Sequence, residues 1–111
     1  MNTLQAGLRL AAPSEVRFAG TVVSAPRFFY GSRTHAMHEA FNVRGDGGSR
    51  VEIVDNVGLA PQVPVIVGDR IAVQGELVPQ TRYGPLVHWT HHDPDHHHQD
   101  GFIDLRGKRY A

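Results

Sequence analysis

Apolar residues along this chain fall in short alternating runs, separated by glycine, proline and small polar residues. Between Val16 and Ser24, Val16, Phe18 and Val22 share one parity, with Gly20 between them. A period of two marks a strand with one buried face, and a glycine inside such a run marks a bend or bulge. A first, bent strand is therefore expected over 16–24. His38 to Arg44 places Phe41 and Val43 on one face, and Val51, Ile53 and Val54 follow the turn Gly45-Asp46-Gly47-Gly48. A turn so rich in glycine makes these second and third strands a hairpin. Ile71, Val73, Gly75 and Leu77 share one side of a fourth strand that opens on Gly68-Asp69. Pro85 to Thr90 reads as a fifth, with Val87 and Trp89 facing opposite to Leu86, His88 and Thr90.

The intervening segments read as a loop over 25–37, a connector over 56–64 and a loop over 79–84. Gly58, Pro61 and Pro64 leave the connector room for at most a turn of helix. Five short strands without a long helix predict an all-β fold, a single small OB-like five-stranded Greek-key barrel. An SH3-like barrel or small sandwich is the competing architecture. The chain divides into an N-terminal tail over 1–15, the barrel over 16–94, and a histidine-rich loop with a C-terminal extension over 95–111 packed on the barrel. In that extension Phe102, Ile103 and Leu105 are placed to add an edge strand or cover the barrel end. In the tail, Leu4 and Leu8 lie one helical turn apart, which suits a brief helix or a frayed end.

Composition narrows the functional classes. With 111 residues, 41% hydrophobic and 20% charged, the chain has the material for one globular domain rather than a disordered segment. Eleven basic and eleven acidic side chains cancel, so there is no strong overall field to attract phosphates, and any nucleic-acid role rests on a local patch. Cysteine is absent, which removes disulfides, thiolate ligands and a cysteine nucleophile. No run reaches the roughly 18 apolar residues of a membrane-spanning helix. The first residues lack a basic n-region and Arg9 interrupts their apolar part, a poor fit to a secretory signal that favours the cytoplasm.

Four stretches carry a family resemblance. Gly68-Asp69-Arg70-Ile71-Ala72-Val73-Gln74-Gly75-Glu76-Leu77 is followed by Val87-His88-Trp89-Thr90-His91-His92-Asp93-Pro94 and by the closing His98-Gln99-Asp100-Gly101-Phe102 and Gly107-Lys108-Arg109-Tyr110. Together with Asn56, Leu59-Ala60-Pro61 and Pro64, they make the chain from about Val16 to Tyr110 resemble a small bacterial family known as domain of unknown function 3465. The His-Trp-Thr-His-His-Asp-Pro run is its most specific part. The resemblance implies a histidine just before the second-strand phenylalanine, and His35 and His38 are both candidates. It names no reaction.

Two groups of residues carry candidate chemistry. The first is a loop pair. OB barrels bind oligonucleotides or oligosaccharides across strands two and three, flanked by the loops joining strands one to two and four to five. Here those loops read Arg27-Phe28-Phe29-Tyr30-Gly31-Ser32-Arg33 and Gln80-Thr81-Arg82-Tyr83-Gly84, both mixing arginine with aromatics. Aromatic faces stack unpaired bases and guanidinium groups hold phosphates. Arg27, Tyr30, Arg33, Arg82 and Tyr83, with His88 on the presenting face, are the expected contacts for a single-stranded nucleic acid, another extended ligand or a protein partner.

The second group is histidine. Six of the eight lie from His88 to His98, and imidazole with carboxylate suits a divalent transition metal such as zinc. The alternative reading is thus a metal-binding protein, with hydrolysis as the chemistry open to it, using His88, His91, His92, Asp93 and one of His96 or His98. Strand geometry already strains that set, since His88 and His92 stand about 13 Å apart along an extended chain. A site requires the loop after Pro94 to fold back. Otherwise a hydrogen-bonded His-Asp cluster fixes the tail to the barrel. No nucleophile elbow appears, and the Gly45 to Gly48 turn lacks a P-loop lysine, so the balance is against an enzyme.

Overall fold

A computed structural model describes residues 14–111. The tail up to residue 13, with its Leu4–Leu8 spacing, lies outside the described residues, and Ser14 and Glu15 already belong to the first strand. Eight strands follow in order: β1 (Ser14–Val22), β2 (Arg27–Gly31), β3 (Ala36–Gly45), β4 (Arg50–Asn56), β5 (Arg70–Val78), β6 (Leu86–His88), β7 (Phe102–Leu105) and β8 (Lys108–Tyr110). There is no helix among the described residues, and so none long and apolar enough to cross a membrane.

The sheet runs β1-β3-β4-β6-β5 and closes when β5 pairs back to β1. Every pairing is antiparallel except β4 with β6, where Glu52 and Ile53 lie beside Leu86 and Val87. This is a closed, mixed five-strand barrel, the OB-like architecture expected from the sequence. Closure removes the exposed edges that a small open sheet would leave. Gly20 marks the point where β1 pairs with Gly45 of β3 and Ile71 of β5 at once. A Cβ there would come within 2.5 Å of the Arg44 carbonyl oxygen and 2.7 Å of Val43, so the close approach of three strands requires glycine.

Alternation fills the barrel. Phe41 and Val43 of β3, Val51 and Ile53 of β4, Ile71, Val73 and Leu77 of β5 and Val87 of β6 point inward and are buried. The connector adds Val63 and Val65, and no helix forms in it. Ile103 and Leu105 of β7 pair with Val73 and Ile71, extending β5 as an extra strand with β8 beyond it. The hairpin between β3 and β4 turns through 45–49, with the Gly45 amide donating to the Ser49 carbonyl at 2.8 Å.

Two expectations are corrected. The segment over 25–37 is a β-ribbon rather than a loop: β2 pairs with the first half of β3, from Arg27 opposite Ala40 to Gly31 opposite Ala36. The fifth strand ends at His88, because Trp89 takes a left-handed backbone (φ 54°) that no extended strand tolerates. Trp89 is therefore half-buried outside the core, and Thr90 goes inside instead, fully buried with its hydroxyl donating to Asp55 at 2.9 Å.

Candidate functional site

The outward positions of β3 and β4 face each other in register: Asn42 opposite Glu52, Ala40 opposite Val54, His38 opposite Asn56. Two hollows lie on this face. The first, about 650 Å³, is lined by Arg27, Asn42, Arg50, Val51, Glu52, Tyr83 and Pro85. The second, about 200 Å³, is lined by Thr34, His38, Val54, Asn56, His88, Trp89 and His91. Because Glu52 and Val54, like Asn42 and His38, are outward residues of the same strands, the floor steps directly from one hollow to the other. The β2–β3 ribbon forms one bank, and the β5–β6 loop with β6 forms the other.

In the first hollow Arg27 pairs with Glu52 at 2.9 Å and lies over the Phe29 ring, 5.1 Å from its centroid. Tyr83 is 86% exposed, a large aromatic ring offered to solvent at the rim. Arg50 is exposed and has no carboxylate partner among the described residues. In the second hollow His38 stacks on Phe29 at 5.4 Å, and its Nδ1 donates to the Ala36 carbonyl at 3.1 Å. That bond leaves Nε2 as the lone-pair nitrogen, with the Thr34 hydroxyl 3.5 Å away. Trp89 stacks on His98 at 3.7 Å between centroids. Asn56 accepts the Gly58 amide at 2.9 Å through Oδ1, leaving its own amide group without a partner among the described residues.

Of the loop residues expected from the sequence, the structure brings Arg27 and Tyr83 to the first hollow and His88 to the second. Tyr30 faces away on β2, its hydroxyl 3.5 Å from His35 Nδ1. Arg33 in the β2–β3 turn and Arg82 in the β5–β6 loop are exposed and line neither hollow. His35 sits in the turn, so His38 is the histidine that reaches the face. Arg50, Asn42, His38, Trp89 and Asn56 were not singled out as ligand contacts. For those on strands, outward parity opposite the core residues was the available signal.

The metal reading finds no support in how its residues are partnered. His91 is 2% exposed, and its Nδ1 donates to the His92 carbonyl at 2.7 Å. His92 pairs instead with Asp100 at 2.9 Å, while the exposed His96 sets its ring against the edge of His92 and its amide donates to the Asp93 carbonyl. Asp93 accepts the amides of Asp95, His97 and His98 at 2.8–2.9 Å. Burial raises the Asp93 carboxyl, but those amides outweigh it and hold it below the usual carboxylate range. His98 and His88 both turn to Glu76, at 3.1 and 3.4 Å. No group of three or more histidine, aspartate or glutamate side chains converges to hold a metal among the described residues. The cluster is a lock: it pins the 91–100 loop to itself and, through Glu76 and Gln74, to β5.

Behind the second hollow two carboxylates point into the barrel. Glu39 and Asp55 are opposite each other in register, 0% and 1% exposed. Burial raises the Glu39 carboxyl to about 7; the Val63 amide at 2.9 Å opposes this and nearby Asp55 adds to it. Its Oε2 has no hydrogen-bond partner among the described residues. Burial likewise raises Asp55 to about 6, against the Thr90 hydroxyl, His91 and the Asn56 amide. His88 is shifted the other way, since burial disfavours its charged form more than Glu76 restores it.

No curated protein and no solved structure matches the chain. The family described as protein of unknown function (DUF3465) matches residues 8–111, including the 88–94 run, Glu76 and the whole barrel. An OB-like barrel whose histidine-rich loop is tied back on β5 is thus what this sequence signature builds here, and the chain belongs to the DUF3465 family.

Proposed function

We propose that this protein is a non-enzymatic OB-type binding module that takes single-stranded nucleic acid along the outer face of β3 and β4. The observation that carries the reading is the continuity of the two hollows on that face, between the β2–β3 ribbon and the β5–β6 loop. Arg50 supplies an unpaired cation at one end and Arg27 one that a phosphate would share with Glu52, Tyr83 offers a ring for stacking, and the histidines and Trp89 further rings at the other. Arg33 and Arg82 stand at the tips of the two banks, within the loops that OB barrels use to close over a ligand. The neutral chain offers little long-range attraction, so affinity rests on this strip and falls with salt.

The test is fluorescence anisotropy with a labelled oligodeoxythymidine at low salt. Arg27→Ala combined with Arg50→Ala is expected to weaken binding at least about tenfold. The salt dependence should also flatten, by about 0.7 log units per log unit of salt for each phosphate that is no longer neutralised. Arg33→Ala with Arg82→Ala is expected to weaken binding less. Binding by the Arg27/Arg50 double variant that equals wild type, with the same salt slope, contradicts the reading.

A further inference from the structure

The second hollow is built differently from the first. It contains no arginine or lysine, and its walls are rings: His38, His88, Trp89 and His91, over a floor of Val54 and Asn56. Two of these rings are braced by rings outside the lining, His38 by Phe29 and Trp89 by His98, with interplanar angles of 15° and 18°. Trp89 holds its place through a left-handed backbone, a conformation that a bulky side chain adopts only when its surroundings enforce it. The loop lock supplies that enforcement, since Gly101 packs directly against the Trp89 carbonyl. The polar groups of the lining are few: the Asn56 amide donors, the His38 imidazole, the buried His88 Nε2, which has no hydrogen-bond partner among the described residues, and the Thr34 hydroxyl, which already donates to the Gly31 carbonyl at 3.3 Å.

We propose that this hollow is a base pocket that takes one pyrimidine of a nucleotide, resting on the reading of the outer face as the nucleic-acid surface. At about 200 Å³ it is smaller than the roughly 300–1,000 Å³ of pockets for drug-sized ligands, so it fits a single ring rather than a whole nucleotide. Aromatic walls match the π-faces of a base. A free amide donor on the floor matches a ring carbonyl, which both pyrimidines of RNA carry. The sugar and phosphate then lead out toward Arg27 and Arg50, where the cations are. Base in the apolar hollow and phosphates along the arginines is the polarity that one strand of nucleic acid has.

Trp89 is the chain's single tryptophan, so its fluorescence reports on this pocket directly. The full chain is titrated with uridine monophosphate, adenosine monophosphate and ribose phosphate, and with the oligodeoxythymidine in parallel. Saturable quenching by uridine monophosphate, weaker response to adenosine monophosphate and none to ribose phosphate support the pocket. Asn56→Asp keeps the oxygen that caps Gly58 but removes the donors, and it is expected to weaken uridine monophosphate about tenfold. His38→Phe guards against a misfolded Asn56 variant: it retains stacking on Phe29 and is expected to weaken the nucleotide by removing the imidazole's polar nitrogen. Equal quenching by ribose phosphate, or equal affinity for the purine, overturns the inference. If no mononucleotide binds while the oligonucleotide still binds through Arg27 and Arg50, the base pocket falls and the outer-face reading stands. If uridine monophosphate binds and the oligonucleotide does not, the pocket stands and that reading falls.

Discussion

The 91–100 loop and the outer face of β3 and β4 are both rich in polar and aromatic side chains, yet their polar atoms are used differently. In the loop, Asp93 takes three amides, His91 donates to a carbonyl and His92 meets Asp100, so the loop's polar groups largely satisfy one another. On the face, Arg50 and the Asn56 amide have no protein partner among the described residues, Tyr83 is bare, and hollows lie between them. A dense run of metal-type residues in sequence is thus a different thing from convergence in space. Neighbours on a strand or tight loop point apart, whereas residues on adjacent strands meet in register. On the proposed reading the face carries the recognition, while the loop's own bonds tie it to itself and to β5.

Substitutions separate the two regions, because loop changes register in stability and face changes in binding. The largest effect belongs to Gly101→Ala. A Cβ there would overlap the Trp89 carbonyl oxygen and lie 2.6 Å from the Gln74 carbonyl oxygen, both rigid backbone atoms. A drop of about 3 kcal/mol or more in chemical denaturation is expected, with Trp89 fluorescence altered. Wild-type stability in this variant would break the description of the loop as a lock.

Next is Glu39, buried behind the face. Its carboxyl rises from 4.5 to about 7 on folding, so the folded state holds more protons than the unfolded chain between those pH values. Stability therefore falls as pH rises through that window, and Asp55, raised from 3.8 to about 6, acts in the same sense. Glu39→Gln keeps an oxygen for the Val63 amide and removes the ionisation. It is expected to flatten the melting temperature between pH 5 and pH 8 (values set by those shifted carboxyls) and to stabilise the alkaline side by about 2 kcal/mol. An unchanged pH profile would show that Glu39 is not the group responsible.

Tyr83→Ala is expected to leave the denaturation midpoint unchanged, since the ring is exposed, while costing about 1 kcal/mol of oligonucleotide affinity through the missing stacking. Equal affinity would remove the rim from the face. The smallest effect is that of His92→Ala, an exposed pair with Asp100, for which no measurable change in melting temperature or in ligand affinity is expected.

Much of the barrel was legible because alternation is a backbone property. Phe41 and Val43, Ile71, Val73 and Leu77 announced their inward faces, and the glycine-rich turn announced the β3–β4 hairpin. The β2 strand was not legible: Phe28, Phe29 and Tyr30 are all apolar in type, so the sequence shows no period, although in the structure Phe28 and Tyr30 are exposed and Phe29 stacks on His38. Trp89 continued the parity of Val87, and nothing local signalled the left-handed backbone that turns it out and Thr90 in. The sequence did point to the two flanking loops through Arg27, Tyr83 and His88. Arg50, Asn42 and Asn56 were marked only by outward parity, and register is what sets them together between those loops. Glu76, which collects two histidines from different parts of the chain, is likewise a product of register.

The central claim is that β3 and β4 present the ligand face, and the most direct measurement is a backbone amide correlation spectrum of labelled protein titrated with unlabelled oligodeoxythymidine. The account predicts shifts concentrated on His38, Asn42, Glu52, Val54, Asn56 and the 80–86 segment, together with the Trp89 indole signal. The amides of Asp95, His97 and His98, held by Asp93, should stay in place. Shifts confined to the 91–100 loop, or none at saturating oligonucleotide, would contradict it.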